Sequence, residues 1–376
     1  MKQTVQRQRF QKKNVALAGL GVIASLVLTG CAVNEQPGYQ QNGGEPTQVS
    51  DLVGTINGSG SSAMAAGQEA WIAAFQILNP GVTVNYDPTG SGTGRAQFVE
   101  GATSFTGSDS YWNDTELAGQ FPSCEAGTLP WELPIWISPI AVIFNLNGIS
   151  NLNMDGKTVA GIFAGKINNW SDQAIAATNP GVDLPDLAIT AVHRSDESGT
   201  SKNFTDYLAA VAPDVWTVGP IEAWPSEYGG EGAQGTSGVV SAVSGGNGTI
   251  GYVDASRSGE LGTVSVKVGD GFVGYSAEAA AKVVDASPLV EGRESFDLAT
   301  KIDRNTTESG AYPIVLVSYV MGCNDYVDDA QAELVRAWGT FLVSVEGQNV
   351  AAVSAGSAPI SDSLREKAQA IIDQIR

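Results

Sequence analysis

Three times in this chain an apolar run gives way to glycines and hydroxyls, and then to helical periodicity. Leu52, Val53 and Ile56 read as a strand. They pass into Gly58-Ser59-Gly60-Ser61-Ser62-Ala63, after which Met64, Trp71, Ile72, Phe75 and Leu78 recur at helical spacing until Asn79-Pro80-Gly81 stops them. Residues 82–86 repeat the plan, leading through Thr89-Gly90-Ser91-Gly92-Thr93-Gly94 to a short helix around residues 95–100. Residues 187–192 do so again, leading through His193-Arg194-Ser195-Asp196-Glu197-Ser198-Gly199-Thr200 to a helix carrying Phe204, Tyr207, Leu208 and Val211. A further strand end falls at Gly107-Ser108-Asp109. Strand–helix alternation of this kind predicts an α/β fold with parallel sheet, in which ligands gather at the carboxyl ends of the strands.

The chemistry of those turns points to an anion. A helix start offers unpaired N–H groups and a partial positive charge, and glycine lets the backbone approach closely. Arg194 can grip two oxygens at once, and Asp196 is placed to hold that guanidinium. Any one such turn is an ordinary helix cap, and an Arg–Asp pair in a loop is usually a solvated ion pair. Three turns together, with Asp109 at a further strand end, form a constellation that surrounds a tetrahedral anion with donors.

Two long apolar runs, residues 136–145 and 312–321, read as strands passing between two domains, the first interrupted at Pro139. The expected lobes are residues 51–137 plus 317–376, and residues 138–316. Before them, Lys2, Arg7, Arg9, Lys12 and Lys13 precede an apolar run over residues 15–28, which marks residues 1–30 as an export signal. Leu28-Thr29-Gly30-Cys31 resembles the lipobox of bacterial lipoproteins, which implies cleavage before Cys31 and a lipid on that residue. Residues 31–50 are rich in Gln, Asn, Gly and Pro and suit a flexible tether. Cys124 and Cys323 fall near the two crossings and are read as a disulfide or as two buried thiols.

A net charge of −20 excludes nucleic acid as a partner but not a small anion, which responds to local dipoles. One histidine and scattered acids give no metal-ligand spacing.

The order Gly-x-Gly-x-Ser, Thr-Gly-Ser-Gly, Gly-Ser-Asp and Arg-Ser-Asp-x-Ser-Gly-Thr resembles the phosphate-binding lipoproteins of Pst-type ABC importers, over nearly the whole chain after the tether. The resemblance implies a two-lobed type II periplasmic-binding-protein fold, two mixed-sheet domains joined by two crossing strands. It implies no catalytic residue and no cofactor. It implies a monomeric receptor, lipid-anchored to the outer face of the cytoplasmic membrane, that delivers phosphate to a membrane permease. The ligand contacts it implies are Ser62, the Ala63 N–H, Ser91, Asp109, Arg194, Asp196, Ser198, Gly199 and Thr200. Some members carry Thr-Phe where this chain has Ser62-Ala63, which keeps the hydroxyl and the N–H. Glu197 must point outward, or it would oppose an anion.

Asp109 is the informative residue. A carboxylate beside an anion repels it unless the anion brings a proton to donate, as phosphate does near neutral pH and sulfate does not. Such a site rejects the unprotonated analogue by ~10⁴-fold, because a polar group is left unpaired against a charge. Another oxyanion, sulfate or molybdate, is the nearer alternative. A sugar receptor is a second, since eight Trp and ten Tyr could stack on pyranose rings; Trp71 and Trp338, however, lie on apolar helical faces. A dinucleotide-binding enzyme is a third. Gly58-Ser59-Gly60-Ser61-Ser62-Ala63 fits Gly-x-Gly-x-x-Ala, with Asp87 ending the next strand, but export disfavours a nicotinamide cofactor.

Overall fold

The computed structural model describes residues 50–376; the expected export signal, Cys31 and all but the last residue of the expected tether lie outside them. The chain opens with the alternation the sequence predicts, β1 (Gly54–Gly60), α1 (Ala65–Leu78), β2 (Val82–Asp87), α2 (Ser91–Val99) and β3 (Phe105–Ser108), and then adds a one-turn α3 (Asp114–Leu117) that it does not. Then come the long β4 (Pro130–Asn145), β5 (Asn151–Met154), α4 (Gly156–Phe163), α5 (Gln173–Thr178), β6 (Thr190–Arg194) and α6 (Gly199–Val211). They are followed by β7 (Glu231–Ala233), α7 (Gly235–Gly245), β8 (Thr249–Asp254), β9 (Gly262–Val268), β10 (Gly271–Val273) and α8 (Ala277–Asp285). The chain ends with β11 (Val315–Cys323), α9 (Asp329–Val343), α10 (Val345–Ala355) and α11 (Asp362–Ile372).

The strands form a ladder in the order β2-β1-β3-β11-β4-β8-β6-β7, with β9 branching from β4 to pair β5 and β10. β1 runs parallel to β2 and β3, and β6 runs parallel to β8 and β7. The middle pairings, β3–β11, β11–β4 and β4–β8, are antiparallel.

β4 ties the two ends of this ladder together. Its residues up to Pro139 pair with β11, and from Ile140 onward they pair with β8. The expected interruption at Pro139 does not occur. Proline lacks a ladder donor, and it sits where the strand changes partner, so no pairing is lost. The β4 strand is buried along nearly its whole length, which explains its unbroken apolar run.

Helices cover both faces of the ladder. Trp71 of α1 and Trp338 of α9 are fully buried, as their helical spacing predicts. Phe75 meets Trp338 edge to face at 5.1 Å. The helix expected over residues 330–345 is α9 and ends at Val343, and α10, which the sequence reading does not anticipate, follows at once. Ser344 adopts an extended backbone, and its Oγ accepts the Gly347 N–H at 2.9 Å, capping α10 as a new helix. Cys124 and Cys323 are joined in a disulfide with their Cα atoms 5.2 Å apart, linking positions 199 residues apart in sequence.

Asp254 ends β8 opposite Ile140, where β4 changes partner. It is fully buried and accepts the Ser256 N–H at 2.9 Å and the Trp136 Nε1–H at 3.4 Å. Burial raises its pKa from 3.8 to about 6, against the pull of those donors. The folded chain thus holds a proton that the unfolded chain has already released. Stability from this group is complete below 3.8, falls as the pH climbs toward 6 and stays lower above, a loss of about 3 kcal/mol. Asp254→Asn removes that loss. In urea titrations the gain of the variant over wild type should grow across this window and then level off; a gain independent of pH would refute the assignment.

Candidate functional site

The three turns that the sequence placed after β1, β2 and β6 meet one another and the carboxyl end of β3. Arg194, the last residue of β6, is 2% exposed, and its backbone N–H donates to the Tyr252 hydroxyl at 3.3 Å. Its Nε donates to Asp196 Oδ1 at 2.7 Å, and its Nη2 donates to the other oxygen of the same carboxylate. The Gly235 N–H also donates to Asp196 Oδ1, at 2.9 Å. Burial opposes ionisation of Asp196, yet the hydrogen bonds and charge of Arg194 hold its carboxyl below the usual range. The clamp is a two-bond fork with its guanidinium fixed in direction.

The turn after β6 becomes α6 through its own cap. Ser198 Oγ accepts the Ser201 N–H at 3.1 Å, leaving Gly199 and Thr200 in the first helical turn. α2 starts differently: Gly90, at φ +102°, precedes Ser91, and no side chain caps the helix. A side chain at Gly90 would stand 2.5 Å from Asp196 Oδ2, and one at Gly199 would stand 2.7 Å from both Ser91 Oγ and Asp109 Cβ. Glycine is thus what allows these two helix starts to close on each other.

Asp109 lies at their focus, 4% exposed. Its carboxylate accepts Thr200 Oγ1–H at 2.9 Å and Ser318 Oγ–H at 2.7 Å, and its N–H donates to Ser91 Oγ at 3.1 Å. Burial raises its pKa, while hydrogen bonds from Ser61, Ser318 and Thr200 and the charge of Arg194 pull the other way. Ser62 joins the start of α7: its Oγ accepts the Thr236 N–H at 3.1 Å and lies 3.2 Å from the Thr236 hydroxyl. The Ala63 N–H donates to Ser61 Oγ at 3.1 Å. Glu197 is exposed, as an anion site requires, and its carbonyl accepts the Gly92 N–H at 3.2 Å.

All nine sequence-derived residues therefore lie in one neighbourhood. Ser91, Asp109, Gly199 and Thr200 touch directly. Ser62 reaches Asp196 and Arg194 through Thr236 and Gly235.

Sequence reasoning missed several members of this neighbourhood. Gly235-Thr236-Ser237-Gly238 at the start of α7 has the glycine–hydroxyl composition of the other turns and was legible on that ground. Ser318 was not, because only the register of β11 against β3 brings it to Asp109. Nor was Glu222, whose carbonyl accepts the Ser198 N–H at 3.1 Å and whose carboxylate accepts Arg95 Nη2–H at 2.8 Å. Arg95, 3% exposed, also donates to Glu116 Oε1 and Ser108 Oγ, each at 2.8 Å.

Residues 45–346 match the family model of the PBP superfamily domain. Phosphate-binding protein PstS 3 of Mycobacterium leprae is 34% identical over 366 residues, covering 95% of this chain and 97% of that protein. Phosphate-binding protein PstS 2 of Mycobacterium tuberculosis is 31% identical over 375 residues, 98% of this chain and 100% of that protein. Among solved structures, the high-affinity periplasmic phosphate-binding protein PfluDING superposes with a TM-score of 0.67 at 20% identity, over 84% of this chain and 93% of that one. The phosphate-binding protein of Stenotrophomonas maltophilia gives 0.62 at 21% identity, also over 84% and 93%. The shared architecture is the mixed α/β type II periplasmic-binding fold. Matched along nearly its full length, the chain belongs to the PBP superfamily and, within it, to the family of the PstS phosphate-binding proteins.

Proposed function

We propose that this protein is an extracytoplasmic high-affinity receptor for inorganic phosphate, a binding protein rather than an enzyme, which delivers its anion to the permease of an ABC importer. The observation that carries this reading is Asp109: a buried carboxylate placed among hydroxyls, helix starts and a fixed guanidinium. A fully deprotonated anion would meet it as a like charge, whereas phosphate can donate a proton to it. The names of the full-length relatives support the same ligand, and sulfate and molybdate fit Asp109 poorly.

In this reading Ser62, the Ala63 N–H, Ser91, Asp109, Arg194, Asp196, Ser198, Gly199 and Thr200 form the anion's shell. Residues 51–137 plus 317–376 make one lobe, residues 138–316 make the other, and the shell is complete when the lobes close. The pair of Arg95 on α2 with Glu222 after α6 fastens them beside the anion. Cys31 carries the lipid and residues 31–50 the tether, so that a monomer works at the outer face of the cytoplasmic membrane beside its permease.

Titration calorimetry with phosphate, sulfate and maltose tests the ligand. Phosphate should bind with a Kd near micromolar or tighter, ~8 kcal/mol or more, and absence of phosphate binding would end the reading. Arg194→Ala should cost about 2–5 kcal/mol of binding, by loss of the charge-assisted fork. Asp109→Asn should reduce phosphate–sulfate discrimination more than it reduces phosphate affinity; unchanged discrimination would remove Asp109 from that role. Glu222→Gln should weaken phosphate binding roughly tenfold, about 1.4 kcal/mol, mainly through faster release in stopped-flow displacement.

A further inference from the structure

Asn203 lies one turn into α6, 9% exposed, and none of the anion-binding motifs includes it. Its Nδ2 donates to the backbone carbonyl of Asp109 at 2.6 Å and to that of Gly199 at 3.0 Å. Its Oδ1 accepts from Arg304 Nη2. Arg304 is itself buried. Its Nη1 donates to the carbonyls of Pro313 at 3.0 Å and Val315 at 2.6 Å, and its Nε donates to Asp206 Oδ2 at 2.9 Å.

A guanidinium can only donate, so Arg304 dictates which end of the Asn203 amide is oxygen. The amino end must then face the two carbonyls, and both of its hydrogens are used. α6 consequently holds Asp109 at two points, through Asn203 on its carbonyl and through Thr200 on its carboxylate. With the peptide group on one side and the carboxylate on the other both tied to one helix, little freedom is left for the side chain to swing. Asparagine is a poor choice for helix stability alone, because its side chain competes for backbone partners.

We propose that Asn203, oriented by Arg304, is a positioning residue that sets the direction in which Asp109 presents its carboxylate, and so sets discrimination between protonated and unprotonated tetrahedral oxyanions. The inference rests on the phosphate reading above. Without the amide, the Asp109 carbonyl is left as a buried acceptor with no donor, and its peptide turns to find one. A displacement of about 1 Å at an aligned polar group is worth up to ~10²-fold.

The test is a double-mutant cycle. Wild type, Asn203→Ala, Asp109→Asn and the double variant are titrated with phosphate and with sulfate, and ligand-free melting confirms that each is folded. Asn203→Ala should lower the phosphate-to-sulfate preference about tenfold or more. In the Asp109→Asn background it should lower it no further, because the residue acts through Asp109. Asn203→Thr can keep the bond to the Gly199 carbonyl without reaching Asp109 and should behave like Asn203→Ala; it is read alone if the alanine variant does not fold. Wild-type preference in a folded variant overturns the inference, as does an equal loss of affinity for both anions or an additive effect in the double variant. Failure of the phosphate reading is distinguishable from all of these, since it appears in the wild-type titration.

Discussion

A carboxylate removed from water is expensive unless donors replace the lost hydration, and the site depends on how Asp109 meets that demand. Its donors come from separate stretches of chain: Ser61 after β1, Thr200 at the start of α6 and Ser318 in β11. Strand order explains the first and last of these. β3 lies between β1 and β11, so the chain leaving β3 passes between their ends. Tyr319 pairs with Ser108, which sets Ser318 beside residue 109. Shifting β11 by one residue would turn that hydroxyl to the opposite face of the sheet.

The same economy of charge runs through the rest of the site. The chain carries a net −20, so no general positive field draws an anion to it. Arg194 is the full cation of the clamp, and the carboxylate of Asp196 occupies its Nε and one Nη. Attraction then falls to hydroxyls and helix-start N–H groups, whose partial charges are fixed in direction and act over short range. In the proposed reading, a site built this way would respond to the geometry and protonation of a ligand more than to its charge alone.

Much of this was legible in the sequence because the local signals were strong. The glycine–hydroxyl turns before α1, α2 and α6 mark helix starts by composition, and Trp71 and Trp338 declare buried faces by spacing. Boundaries were less legible. Gly58–Gly60 belong to β1 rather than to the turn, and α2 begins at Ser91 rather than near Arg95, because a turn rich in glycine does not announce where its hydrogen bonding becomes regular. The edge strands β5, β7 and β10 escaped notice: each is only three or four residues long, too short to establish a period of two. Ser318, Glu222 and Asn203 could not be read at all. Their roles depend on register or on a loop's return path, and a single serine, glutamate or asparagine in an apolar or mixed segment carries no signal of either.

Two buried arginines flank the site without belonging to its donor set, and the reason is physical. Arg95 gives its hydrogens to Glu116, Glu222 and Ser108, and Arg304 gives its own to Asp206, Asn203 and two carbonyls. A buried guanidinium with spare donors would recruit any anion, sulfate as readily as phosphate, and would override a selection that depends on one proton. Tying each to a carboxylate cancels that indiscriminate attraction while keeping a rigid, many-armed connector between segments. The framework charges are thereby neutralised, and in the phosphate reading proposed above Asp109 is left as the residue that tells one tetrahedral anion from another.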